Sequence, residues 1–267
     1  MNVGLLVPDF SVQFDIIPEY FCALVENLRM KRVKNFRLAR AGSEGDGGYI
    51  LIDNLDSRGG VAYSFGISNE VSFDDDLANC GYQIFMYDMT IDDLPKHRPE
   101  FHFFKEGIGR VRDPINHLDT LEHFIARNGH QNQRNMILKM DVEGAEWDFL
   151  ETVKSETLAQ FDQIVFEFHS LAIGVDLVKS GMIISRLQKL NLTHQVVHIH
   201  GNNASGATII FENALYPELL EVTYVNRANY EFEDAEIILP NPNIDAPNLP
   251  DRRELILGNW NARFKNS

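Results

Sequence analysis

The sequence has 267 residues, 44% of them hydrophobic and 10% aromatic, which is enough apolar side chain for a substantial core and too much for intrinsic disorder. With 24 Lys+Arg against 39 Asp+Glu its formal charge is -15, a field that repels polyphosphate chains and anionic lipid and so argues against nucleic-acid or membrane partners. Cys22 and Cys80 are too few for a disulfide framework and read as buried thiols; with no secretory-type amino end and no run of about 18 apolar residues, the expected compartment is the cytoplasm.

From Pro18 to about Met30, Phe21, Leu24, Val25 and Leu28 recur at helical spacing, so residues 1–40 read as a helical amino-terminal extension. RAGSEGDGGYILID follows, crowding four glycines into residues 42–48 of a loop whose backbone can approach a neighbour closely. Strand-like and helix-like stretches then alternate. Strands are expected at 61–67, 82–88, 101–109, 136–141, 163–169, 194–201 and 207–213, with helices near 70–80, 117–129, 146–153 and 176–190. Parallel neighbours need crossover connections, so this order predicts an open α/β sheet in a domain spanning 41–235. The short connection GNNASG predicts that the last two strands, 194–201 and 207–213, form an antiparallel pair. Four of the ten prolines lie between Pro240 and Pro250, so residues 236–267 read as an extended Pro/Asn-rich strap on the same domain.

In such sheets ligands bind beyond the carboxyl ends of the strands. The first strand ends in Gly66, followed by Ser68 and Glu70, whose carboxylate favours a cationic ligand. The second ends in Asp88, 22 residues later, where a carboxylate can hold the hydroxyls of a ribose or cap a following helix. The fourth ends in KMDVEGAEW, which delivers Lys139, Asp141, Glu143 and Glu146 to one turn around Gly144, a costly clustering unless the charges face a ligand, an ion or each other. FHFF (101–104) fits a strand buried on both faces, Trp147 a packing residue, and Asp74, Asp75 and Asp76 a solvated helix start.

KMDVEGAE, with YSFGISNEVSFD before it and ENALYPELLEVTYVNR after it, resembles the FkbM-like family of S-adenosylmethionine-dependent methyltransferases over residues 40–230. DGGYILID and the pairing of YSFGI with MYDMTI look like the subgroup that includes the methyltransferase-like 24 proteins. The resemblance implies a Rossmann-like class I fold: a mostly parallel seven-stranded sheet, an antiparallel final strand pair and helices on both faces. It also implies that Phe65, Gly66, Ser68 and Glu70 line the methionine part of the cofactor, and that Asp88 with Met89 holds the ribose. The loop at Glu106 and Gly107 would lie near the adenine, and Asp141 near the reacting centre. The first motif departs from the general methyltransferase pattern in having fewer glycines.

A sulfonium suits an acidic crevice, and methyl transfer to oxygen needs an acceptor close to the methyl and relieved of its proton. His169, at the end of the fifth strand, is the first candidate base, with Asp141, Lys139 and His198 as further catalytic candidates. Glu167 and His169 share a strand face, as do His198 and His200, so Asp141, Glu167, His169 and His198 can be read either as ligands of a divalent metal or as inter-strand hydrogen-bonding groups. GNNAS suits a hydroxylated small-molecule acceptor, and family analogy makes this a sugar, nucleotide-linked, in surface polysaccharide assembly. Three alternatives stand beside it: a methyltransferase of a secondary metabolite, a nicotinamide-dependent oxidoreductase lacking the usual glycine fingerprint, and a non-catalytic binding module.

Overall fold

The computed structural model describes residues 3–7, 10–14, 17–55, 59–171 and 176–263. Its centre is a seven-stranded sheet formed by β1 (Gly60–Phe65), β2 (Tyr82–Tyr87), β3 (Phe101–Phe104), β4 (Met136–Met140), β5 (Phe161–Phe168), β6 (His194–Gly201) and β7 (Leu220–Asn226). The spatial order is β3-β2-β1-β4-β5-β7-β6. Strands β1 to β5 pair in parallel, and β7 runs antiparallel between β5 and β6. The sheet therefore reverses direction of growth between β1 and β4, the switch point at which α/β folds open a crevice.

Strand alternation explains the two layers. Tyr63 and Phe65 of β1 and Leu138 and Met140 of β4 join a core with α1 (Pro18–Asn27), α3 (Leu121–Arg127), α4 (Ala145–Thr152), α5 (Ser155–Leu158) and α6 (Leu177–Leu190). Ala62, Ile84 and Ile137 face the other way, onto α2 (Ser72–Asn79) and the antiparallel pair Leu38–Ala41 with Tyr49–Ile52. Lys139 points to this second face as well, a phase that decides its role below.

Several expectations need correction. The final antiparallel partner of β6 is Leu220–Asn226, because Thr208–Phe211 leaves the main sheet to pair with Ala214–Pro217 and with Val3–Val7. The amino-terminal extension holds strands Val3–Val7 and Phe10–Phe14 besides its helix, since they complete that small sheet. FHFF is only half-buried, being the edge strand. Cys22 is exposed. Asp74 is enclosed instead of solvated, and burial pushes its carboxyl up to about 6. Among the described residues, no helix is long and apolar enough to cross a membrane.

Past residue 235, Ile238–Leu239 pairs with Gly258–Asn259, and the intervening chain lies against the sheet tips. Asn248 reaches both Asp46 and Glu221, while Asn203 donates to the carbonyls of Leu249 and Arg252.

Candidate active site

The turn after β1 is the tightest feature of the crevice. Gly66 has φ +76, and a Cβ there would lie 1.6 Å from the carbonyl oxygen of Asp141. Glycine is required because the ends of β1 and β4 touch at this point. Lys139 Nζ donates to the Gly66 carbonyl, lies 3.7 Å from Asp141 Oδ2 and sits over the Tyr49 ring, so it braces the turn from below.

Asp88 ties the same turn to β2. Its Oδ2 accepts from the amides of Ile67 and Ser68 at 2.8 Å each, and its Oδ1 from the Thr90 amide at 2.7 Å and hydroxyl at 2.6 Å. Burial alone would raise this carboxyl, but the donors outweigh it and hold it below the usual range. No helix lies between Asp88 and β3, so the helix-capping alternative does not apply. The Thr90 hydroxyl is the one donor of the four that side-chain rotation can withdraw, which would open one acceptor position on Oδ1 to a ribose hydroxyl while the Thr90 amide stays bound. The cradle of Gly66, Ser68 and Asp88 therefore fits a nucleoside.

Other predicted cofactor residues sit differently. Phe65 is fully enclosed, stacked on Tyr87, because alternation turns its ring into the core. Glu70 accepts from the Ser72 amide at the start of α2 and packs against Gly47, so it stabilises a helix end. Glu106 is held by the Arg127 guanidinium, which stacks on Phe104. Met89 is 41% exposed and overhangs Gly107, where a Cβ would come within 2.8 Å of its sulfur.

Asp141, Glu167 and His169 meet beside the turn, with one ligand atom of each within 4.8 Å of the others. Tyr49 donates to Asp141 Oδ2 at 3.1 Å, and Asn202 to Glu167 Oε1 at 3.1 Å. Glu146, fully enclosed, accepts from the Gly144 amide and from both the backbone amide and Nδ1 of His169, at 2.8, 2.6 and 3.1 Å. Trp147 Nε1 donates to the His169 carbonyl at 2.8 Å, so the packing residue also fixes this strand end. Three residues just past strand ends, Ser68, Glu143 and Ser170, adopt positive φ at the crevice.

His198 does not join this group. Its Nε2 faces Asp245 at 3.0 Å under the strap, with both side chains enclosed, so the four-residue ligand set reduces to three. His200 is clasped by Glu221 and Glu254 at 3.0 and 3.1 Å, and His194 by Thr193 and the Phe161 carbonyl. Tyr49, Asn202 and Glu221 carry no spacing signal; their approach depends on tertiary packing, and only the glycine-rich and Asn-rich loops beside the first two mark the regions.

The charge states follow from these neighbours. Burial lowers the His169 pKa, but the bond and charge of Glu146, with Glu167 and Asp141, outweigh it and raise it to about 9. Burial, then the charges of Asp141 and Glu221, push Glu167 well above the usual carboxylate range. At neutral pH His169 is thus already a cation in the ligand-free chain.

A dome-shaped pH–stability profile is expected. For His169 and His200, raised to about 9 and about 10 from about 6.5 unfolded, the stabilisation is complete below 6.5 and disappears as pH rises through those values. For His194, lowered by burial to about 4, it is complete above 6.5 and disappears as pH falls toward 4. Urea unfolding from pH 4 to 10 checks this, with the alkaline limb flattened in His200→Gln; a profile rising steadily to pH 10 would contradict it.

The strand order with its glycine turn and acidic second strand defines a Rossmann-like class I methyltransferase fold. The profile of the methyltransferase FkbM domain matches residues 50–192, more than half of the chain, and the chain belongs to that family of methyltransferases. No curated protein matches it. Solved structures similar to it include the Methanococcus jannaschii fibrillarin pre-rRNA processing protein, at 8% identity and TM-score 0.37 over 84% of this chain and 94% of that one. A variant of a 16S rRNA (adenine(1408)-N(1))-methyltransferase from Catenulisporales acidiphilia aligns at 10% identity and TM-score 0.34, over 88% of this chain and 100% of that one. A putative hemolysin from Streptococcus thermophilus aligns at 9% and 0.39, over 77% and 75%.

Proposed function

We propose that the chain transfers the methyl group of S-adenosylmethionine to a hydroxyl oxygen of a sugar, nucleotide-linked, in the cytoplasmic assembly of a surface polysaccharide. The observation that carries this reading is the shared contact of Gly66 with Asp141, which sets the nucleoside cradle directly against a polar cluster suited to a hydroxylated acceptor. Gly66, Ser68 and Asp88 would seat the cofactor, with Met89 and Gly107 toward its base. Asp141, Glu167, His169 and Asn202 would face the acceptor.

In the reaction the acceptor oxygen forms a bond to the methyl carbon while the carbon–sulfur bond breaks, its electron pair leaving a neutral thioether. The hydroxyl proton passes into the cluster. His169 is already protonated at neutral pH, so its first duty is to hold and orient; Asp141 Oδ1, which no donor among the described residues occupies, is the open proton acceptor.

The test is incubation with S-adenosylmethionine and a panel of nucleotide sugars, read by mass spectrometry for a gain of one methyl, beside calorimetry of cofactor binding. Asp141→Ala is expected to lower turnover by roughly 100-fold or more while retaining cofactor affinity, and Asp88→Ala to lose that affinity. Absence of cofactor binding by the parent chain would end the proposal, and full turnover in Asp141→Ala would end the site assignment.

A further inference from the structure

Asp141, Glu167 and His169 offer two carboxylates and one imidazole at the tips of adjacent strands. Two observations set them apart from an acidic surface cluster. Glu167 and His169 are only 6% and 8% exposed, yet among the described residues nothing donates to Glu167 Oε2. Among the described residues His169 Nε2 meets only acidic oxygens, in ion-pair contact with Glu143 at 3.3 Å and Glu167 at 3.6 Å.

The second observation is the grip on the other side of the ring. Glu146 holds His169 Nδ1, and the Gly144 amide holds the other Glu146 oxygen, so the ring is fixed with Nε2 presented to the carboxylates. A carboxylate behind one ring nitrogen is the arrangement that orients metal-binding histidines. Tyr49 and Lys139 both approach Oδ2 of Asp141, leaving Oδ1 open.

We infer that Asp141, Glu167 and His169 bind one divalent cation of the Mn2+ type, which takes the place of the proton on His169 Nε2, with the exposed Glu143 carboxylate within reach as a third oxygen ligand. Two carboxylates with one imidazole suit a hard to borderline ion better than a thiophilic one. Resting on the methyl-transfer reading, the cation would hold two neighbouring oxygens of the acceptor beside the cofactor turn, which narrows the acceptor to a vicinal diol.

The test titrates MnCl2 into the chelator-treated full chain without cofactor or acceptor, using calorimetry and electron spin echo spectroscopy. One ion per chain is expected, with a nitrogen coupling that disappears in His169→Gln. Affinity should fall roughly 10- to 100-fold in Asp141→Asn and Glu167→Gln, each checked for a cooperative thermal transition, and less in the exposed variant Glu143→Gln. A parent chain that fails to bind Mn2+, variants that bind as tightly as the parent, or a bound ion without nitrogen coupling would each overturn the inference. Separate calorimetry of S-adenosylmethionine reports on the methyl-transfer reading, so the two fail independently.

Discussion

Gly66→Ala is expected to unfold at markedly lower denaturant concentration than the parent, by about 3 kcal/mol or more, and to lose cofactor binding. Two penalties act together. The new Cβ would meet the Asp141 carbonyl at 1.6 Å, a backbone atom that cannot rotate away, and φ +76 is unfavourable for any residue with a side chain. Gly129 separates the two, because its φ is +80 but a Cβ added there would meet nothing within 4 Å. Gly129→Ala should therefore cost only about 1 kcal/mol. Denaturation of both variants with calorimetry of the cofactor checks this; equal midpoints for the two would mean that β1 and β4 do not touch as described.

Glu146→Ala should be nearly as damaging, about 3–5 kcal/mol, since it strands three donors and a buried imidazolium at a site with no exposure. Glu146→Gln keeps the volume and an acceptor, and should cost less. In both variants the His169 pKa should fall from about 9, because the residue offsetting its burial has lost its charge. NMR titration of the imidazole measures the shift directly. An unchanged pKa would show that Glu167 and Asp141, rather than Glu146, hold the proton on the ring.

Much of this fold is readable in the sequence because local pattern and global position agree for β1, β2, β4, β5 and β6. Their apolar runs are bounded by polar turns, and the acidic turn at Lys139–Glu146 stands out as a charge cluster that burial would not otherwise tolerate. The last strand differs from expectation because TIIF and LEVTYVN both have strand character, and pairing choice depends on which edge is vacant, not on propensity. The separation of His198 from His169 is equally hidden. Spacing assigns residues to a face of one strand, but the insertion of β7 moves β6 one place further from β5. Glu70 and Glu106 look like ligand residues because sequence shows a carboxylate without showing the Ser72 amide or Arg127 guanidinium that engages it.

The interior position of β7 has a consequence for biosynthesis. Strand β6 leaves the ribosome before β7, its neighbour in the main sheet, so for an interval the nascent chain carries HQVVHIHG without that strand while β5 presents a bare edge. A shortcut, β6 docking straight onto β5, is open during that interval and would lock out the true occupant.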